Sequence, residues 1–349
     1  MSLSMSNDKK VLSGWEEEAT LDKKTAKKLV WRTRLSISFT VLRTLLAVFL
    51  IYTFYMIAVG MFYNFSGKEA AFERLVTTVI ETRYPGIAVD KSLPMNTNTV
   101  TTPFLTQKTD MTLYRKVGDW EVVIGDIAAR KTLFGKLELD MKFDNKYLNE
   151  SIYDVYAVPP DLLGKEEGEI QDEAWVTERL QAISDGYVAQ LQFSTRKSMA
   201  PDELQEMLEA YDVDVLEMPV YGGELTKIED IGYTADEINT YISALKLRPA
   251  VEYDEENRLT VTYSSLSGAG GLEGALEQFP KDLQWLVDRG GYYEAEYDEQ
   301  RLEYIKENPI RVFGAVVTGP IREIERLVEE ERFHQFHLGE IEVWNWQSY

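Results

Sequence analysis

Residues 44–67 read TLLAVFLIYTFYMIAVGMFYNFSG, twenty-four residues without one charged side chain. An α-helix rises about 1.5 Å per residue, so about twenty apolar residues cross a ~30 Å hydrocarbon core. Upstream, Leu35–Leu42 extends the apolar run, and only Arg43 interrupts it. An arginine near the end of such a helix lays its methylenes along the apolar surface and keeps its head at the interface. The expected element is one membrane-spanning helix over residues 37–62. Two other readings fit less well. A buried core helix is usually shorter. A cleaved signal peptide has an apolar region of about 7–15 residues followed by a small-x-small site, and none follows Phe62.

Charge is distributed unevenly about this stretch. The 349-residue chain has a net charge of −22, but residues 1–60 hold nine Lys/Arg against five Asp/Glu, and residues 61–349 hold 28 against 54. The flanks are therefore +4 and −26. Lys9, Lys10, Lys23, Lys24, Lys27, Lys28, Arg32 and Arg34 all precede the apolar run. Basic residues beside a span stay in the cytoplasm, so the expected localisation is the cell membrane, single-pass, N-terminus cytoplasmic and C-terminus extracytoplasmic. Trp31 on one side and Tyr63 and Phe65 on the other suit the aromatic interfacial belts. Cysteine is absent, which excludes disulfides and thiolate zinc sites. So acidic an outer region argues against nucleic acid as its partner, since phosphate binding needs clustered Lys/Arg.

Before the span, Ser13 and Glu16 stand at capping-box spacing and open a helix that carries acidic residues first and basic residues last, matching the helix dipole. After it, Glu69–Tyr84 reads as a helix ended at Pro85. Residues 94–109 read as loop or edge. MTLYRKV, the turn Gly118-Asp119, WEVVIGDIAAR and LFGKLELDMKF read as an antiparallel meander. Residues 162–173 (LLGKEEGEIQDE) are charged and read as a linker. Beyond it a strand-helix-strand order recurs: YVAQLQFSTRKSM, a helix from Pro201 and VDVLEMPVY; then RVFGAVVTG, a helix from Pro320 and a final strand ending near Trp346. Proline suits the first helical turn, where its missing N–H has no partner to lose. Between the repeats lie a capping box at Thr234–Glu237, the hairpin VEYDEENRLTVTY, and helices near Leu272–Val287 and Tyr293–Ile305.

The fold class is α+β, with two β-α-β units suggesting a ferredoxin-like C-terminal domain carrying an insertion. The expected organisation is a cytoplasmic basic helix segment (1–36), a transmembrane helix (37–62), a helix plus β-rich extracytoplasmic domain (63–161), a linker (162–173) and an extracytoplasmic α+β domain (174–349).

The basic segment, the apolar run and RYPGIAV, together with YVAQLQFSTRKSMAPDELQEML…VDVLEMPVYGG and VFGAVVTGPIREIERL…LGEIEVWNW, resemble the sigma factor regulator family, membrane anti-sigma factors of Gram-positive bacteria. The resemblance implies a regulator that restrains an extracytoplasmic-function sigma factor at the membrane until envelope stress releases it. Many anti-sigma factors wrap their target with a cytoplasmic domain that often carries a His and two Cys for zinc. Here about 35 residues precede the span, with neither residue. A single helix docking in a groove fits that length, as does a second membrane regulator sharing the task. The partner-binding candidates are Trp15, Leu21, Lys24, Lys28, Leu29 and Trp31. On the residues alone, the basic segment serves topology and contact with the lipid bilayer ahead of sigma binding; the resemblance reverses that order. The alternative is a membrane-anchored extracytoplasmic binding or scaffolding module with no direct sigma contact.

Catalysis has little support. His334 and His337, three apart and near Glu340, would share a face on a helix and could bind a metal, but solvated histidines are the favoured reading. The acidic runs Glu252–Glu256, Asp212–Asp214 and Glu166–Glu169 match no calcium loop and read as solvated surface. Ser264–Gly271 opens a helix without the Lys-Ser/Thr of a P-loop or a G-x-S-x-G elbow, and reads as a flexible connector. Trp344 and Trp346 are placed on the last strand, where alternation turns both to one face, the core. The expectation is a non-enzyme without cofactor or metal.

Overall fold

The computed structural model describes residues 23–91, 99–102, 104–144, 156–164, 174–223 and 244–347. The chain divides into two compact units, Met1–Met61 and Phe62–Tyr349. The first described helix, α1 (Lys23–Phe65, 43 residues), joins the basic segment and the apolar run into one continuous element. At 1.5 Å per residue it is about 65 Å long. Among the described residues it is the one helix long and apolar enough to cross a membrane. Leu45, Phe49, Ile51 and Phe54 are each 61–70% exposed on it, where a core helix would have them covered. Thr33, Thr40, Thr44 and Thr53 donate their hydroxyls to the carbonyl four residues back, so these polar groups need no water. The expected helix start at Ser13 lies outside the described residues.

Gly67, in the left-handed region at φ 63°, separates α1 from α2 (Lys68–Glu81). The first sheet follows: β1 (Ala88–Val89), β2 (Val100–Thr101), β3 (Thr106–Val117), β4 (Trp120–Thr132) and β5 (Glu138–Phe143). Its order is β1-β3-β4-β5 with β2 also on β3, antiparallel throughout, and the expected turn Gly118-Asp119 joins β3 to β4. Phe72, Leu75, Val76, Val79 and Ile80 of α2 pack with Leu113, Ile124, Ile127 and Ala129 of this sheet.

Two short helices, α3 (Pro160–Leu163) and α4 (Ala174–Gln181), precede the second sheet, and residues 165–173 of the expected linker lie outside the described residues. Then come β6 (Tyr187–Met199), α5 (Pro201–Leu208), β7 (Asp214–Val220), β8 (Leu245–Leu247), the hairpin β9 (Val251–Tyr253) and β10 (Leu259–Thr262), α6 (Gly271–Arg289), α7 (Ala295–Glu307), β11 (Val312–Pro320), α8 (Ile321–Val328) and β12 (Phe333–Val343). The capping box Thr234–Glu237 lies outside the described residues. The second sheet runs β12-β6-β11-β7-β8, all antiparallel. Proline begins α5 and caps α8. One face of the sheet, with Ala189, Leu191, Phe193, Ala315 and Val317, packs against α4, α5, α6 and α8.

The opposite face of β6 carries Gln190, Gln192 and Ser194, a polar alternation that ordinarily faces water. All three are buried: the turn end of the first sheet meets Gln190, and the Ala157 N–H donates to Ser194 Oγ at 2.9 Å. Gln190 Nε2 donates to the Lys116 carbonyl at 3.3 Å, and the Gly118 N–H donates to Thr318 Oγ1 at 2.6 Å. Lys116 Nζ pairs with Asp214 at 3.0 Å, and Trp120 Nε1 donates to the Val343 carbonyl at 3.0 Å.

The expected shared orientation of Trp344 and Trp346 is corrected. β12 ends at Val343, so strand alternation stops before either tryptophan. Trp344 is 52% exposed, while Trp346 is buried and donates its indole N–H to Asp212 Oδ2 at 3.0 Å.

Gly314, at the centre of VFGAVV, has room for no side chain: a Cβ would meet the Phe193 carbonyl oxygen at 2.3 Å and Tyr156 Cδ1 at 3.0 Å. Backbone cannot yield as a flexible side chain does. Gly314→Ala is expected to destabilise the protein by about 1–3 kcal/mol, the usual cost of overpacking, read as a lowered midpoint in thermal unfolding.

Candidate functional site

Helix periodicity gives α2 an apolar stripe and a polar one. The apolar stripe faces the first sheet, but α6 and its following loop close over the helix from elsewhere, contributing Leu286 and Tyr292 to the same core. The polar residues of α2 are therefore buried too, and each must find a partner. Glu81, 5% exposed, does so with both oxygens. Oε1 accepts from Lys91 Nζ and from the Val89 N–H at 3.1 Å, while Oε2 pairs with Arg248 Nη1 at 2.6 Å. Arg248 turns its other arm to Asp282 Oδ2 at 3.1 Å. Asp282 Oδ1 takes Arg74 at 3.2 Å and Gln278 Nε2 at 2.8 Å. The Arg74 guanidinium also lies 4.2 Å from the Trp285 ring and 4.5 Å from that of Tyr253, a cation–π sandwich.

Two further buried clusters adjoin this one. Arg83 and Arg301 bracket Asp298, which is wholly buried; Arg301 lies at 2.9 Å, and Tyr292 adds its hydroxyl at 2.8 Å. Lys246, also wholly buried, donates to Glu217 at 2.9 Å and to the Tyr84 carbonyl. The N–H of Lys246 donates to the Thr82 carbonyl at 3.0 Å, which ties β8 to the end of α2.

The electrostatics follow from burial and neighbours. Burial alone would push Glu81 up, but Lys91 and Arg248 hold it below the ordinary carboxylate range. Burial pulls Lys246 down against the opposing pull of Glu217. Glu81, Asp282, Asp298 and Glu217 each face a cation, so the arrangement locks segments together; it offers no free base or nucleophile beside an open cleft. Sequence reasoning missed these residues because Glu81 pairs with a residue 167 positions away and Arg83 with one 215 away. The one local sign was the presence of Arg74, Glu81 and Arg83 in and just after an otherwise apolar helix.

The residues expected to bind a partner divide as follows. Trp15 and Leu21 lie outside the described residues. Lys24, Lys28, Leu29 and Trp31 are exposed on α1, Leu29 at 59% and Trp31 at 66%. They do not share one narrow stripe: 24, 28 and 31 follow the helical repeat, while 29 stands 100° from 28.

The helical face considered for His334 and His337 is corrected. Both lie on β12, opposite Ser194 and Gln192, with the irregular Gln335 (φ 54°) between them. Burial holds His334 below the ordinary histidine range. Among the described residues no three His, Cys, Asp or Glu side chains converge as metal ligands would. The loop Ser264–Gly271 is also corrected from a flexible connector: Leu266 is wholly buried and donates its N–H to the Val215 carbonyl at 2.7 Å, while Ser267 Oγ accepts the Val215 N–H at 2.8 Å.

Two predictions come from the ion network. Arg248→Ala leaves Glu81 and Asp282 buried beside one cation fewer, and should cost about 3–5 kcal/mol of stability, read from thermal or denaturant unfolding. Glu81 has its folded value below the ordinary 4.5. Its contribution is therefore fully present above that pH and is lost as pH falls through the lower folded value. The stability gap between the native chain and Glu81→Gln should narrow as unfolding is followed from pH 6 downward past 4.5, where the unfolded chain takes up the proton before the folded one.

Comparison with known proteins joins this architecture to a family. Residues 180–340 match the family described as sigma factor regulator C-terminal. The probable anti-sigma-M factor YhdL of Bacillus subtilis (strain 168) is 23% identical over 180 residues, which are 50% of this chain and 45% of that protein. The chain thus spans about half the length of the curated relative it matches. No solved structure matches. Through residues 180–340, which hold most of β6 to β12, the chain is similar to the sigma factor regulator family.

Proposed function

We propose that this protein is a single-pass membrane regulator that restrains an extracytoplasmic-function sigma factor and responds, through its outer domains, to the state of the envelope. The observation that carries the reading is one of composition and connection. A charge-free apolar run (44–67), preceded by nine basic residues, leads into a region of charge −26 that includes the match to the sigma factor regulator domain. The positive-inside rule puts the N-terminus in the cytoplasm and the folded mass outside. Exposure of the large apolar side chains along α1 supports contact with lipid. The name of the B. subtilis relative supports a sigma factor as the partner.

The strand order supports the ferredoxin-like reading. Taken in chain order, the four long strands of the second sheet stand fourth-first-third-second, with α5 and α8 as the two crossovers and residues 221–311 as the insertion. We retain the division into 1–36, 37–62, 63–161, 162–173 and 174–349 as the working organisation. A regulator of this kind needs no catalysis: the outer state reaches the inner helix through α1 as a change in exposure, assembly or proteolysis. The basic residues and exposed Leu29 and Trp31 ahead of the apolar run support one helix docking in a groove, alone or beside a second membrane regulator.

The test is capture of extracytoplasmic-function sigma factors by the full chain in detergent, with sigma-dependent transcription followed in cells. Native protein should retain its sigma factor. A Leu29→Asp, Trp31→Asp pair should weaken capture by about tenfold or more, as loss of an apolar anchor does. Unchanged capture with that pair and with residues 1–36 deleted, together with unchanged transcription, would leave the second reading, an anchored extracytoplasmic scaffold.

A further inference from the structure

Phe134 and Phe104 are 97% and 88% exposed, more than any large apolar side chain on α1. Single exposed apolar residues are ordinary; the placement of these two is not. Phe134 sits in the β4–β5 turn and Phe104 in the β2–β3 turn, each two residues beyond a directly paired couple, Thr106 and Thr132. Both turns therefore leave the first sheet at one end, on neighbouring strands about 4.8 Å apart. The other end of that sheet, at Gly118-Asp119, is sealed against the second sheet.

The free end is where the chain emerges from α1. The Tyr63 hydroxyl donates to the Leu105 carbonyl at 3.0 Å, and Gln107 Nε2 donates to the Lys68 carbonyl at 3.2 Å. The β4–β5 turn is braced: Leu137 N–H reaches the Gly291 carbonyl at 2.7 Å, and Lys131 Nζ reaches the Gly135 and Gly291 carbonyls at 2.9 and 2.8 Å. Around the tips stand Lys108, Arg130 and Lys136, all exposed, with Glu138 opposite Arg130 at 3.8 Å. Lys68 adds a cation against the Phe62 ring. In a region of net −26, this rim is cationic. The acidic turn 254–256 also reaches this end, beside Gly67, so the cationic character belongs to the sheet rim.

We infer that the two aromatic tips dock the outer unit on the bilayer, Phe104 and Phe134 entering the headgroup–acyl boundary while Lys108, Arg130 and Lys136 meet anionic headgroups. This rests on the reading of residues 37–62 as a membrane span. The occupant is the membrane rather than a protein because the tips adjoin the last turn of the apolar helix, and because aromatic tips ringed by lysine and arginine match an anionic lipid surface.

The cysteine-free chain permits single-site labelling. Full-length protein carrying an environment-sensitive dye at Phe104→Cys, Phe134→Cys, Asp119→Cys or Leu50→Cys is reconstituted in phosphatidylcholine vesicles with a minority of phosphatidylglycerol and spin-labelled lipid. The dyes at 104 and 134 should be quenched by shallow spin label at least about threefold more than at 119, the membrane-remote end. A dye at Leu50 should be quenched by deep label. Equal quenching at 104, 134 and 119 with Leu50 quenched overturns the docking and leaves the span standing; an unquenched Leu50 overturns both. Because those dyes replace the aromatics, a further variant keeps them and labels Lys136→Cys. Adding Phe134→Asp to it should relieve the quenching, and no relief overturns the inference.

Discussion

Arg248 stands between two buried carboxylates, Glu81 at 2.6 Å and Asp282 at 3.1 Å, and much of the larger unit is arranged by what that position requires. A guanidinium taken out of water needs its charge and its N–H fork answered. One answer comes from α2, the helix that follows the apolar element, and the other from α6, inside the insertion. The segment between β7 and β11 is thus held to the start of the larger unit by charges that cannot be withdrawn singly. Replacing such a cluster by well-packed hydrophobes is often neutral for stability. Its distinctive property here is geometric: a bidentate fork fixes orientation as well as distance.

The same logic explains why two sheets behave as one body. The polar face of β6 would be ordinary for a strand wet on one side, yet Gln190, Gln192 and Ser194 are covered, and their amides and hydroxyls bond backbone groups of other segments. Among the described residues, the apolar cluster shared by the two sheets is small: Val117, Val188 and Trp346 with Val122 beside them. Polar complementarity supplies the register between the sheets.

Much of this was legible in the residues. Period-two runs, the Gly118-Asp119 turn and prolines at helix starts mark β3, β4, β6, β11, α5 and α8, because those signals are local. The recurrence of strand-helix-strand marks the second sheet as one layer. What stayed hidden depended on partners distant in sequence. Alternation in β6 cannot say whether its polar face meets water or another sheet, and Arg248 gives no local sign that its partners lie in two different helices. Trp346 reaches the core as expected and Trp344 does not, because the strand ends at Val343, before alternation can govern either. The His334–His337 spacing has meaning only on a helix, and Gln335 breaks even the strand period.

The second sheet also fixes the order in which it can be made. Its central strands, β6 and β11, begin at Tyr187 and Val312, and the edge strand β12 ends at Val343. β6 has as neighbours only β11 and β12, which begin about a hundred residues or more after it ends. Loop closure over such a distance costs little at equilibrium, roughly 0.6 kcal/mol for each doubling of length. Its effect is on rate: sheets built from remote pairings form slowly. Until β11 and β12 are available, β6 is a strand with one apolar face and both edges open, the kind of segment that pairs with the wrong chain. Without cysteines, no covalent link can hold a partly formed sheet together. The sheet therefore gains its shape only after β11 and β12 have been made, however early β6 appears.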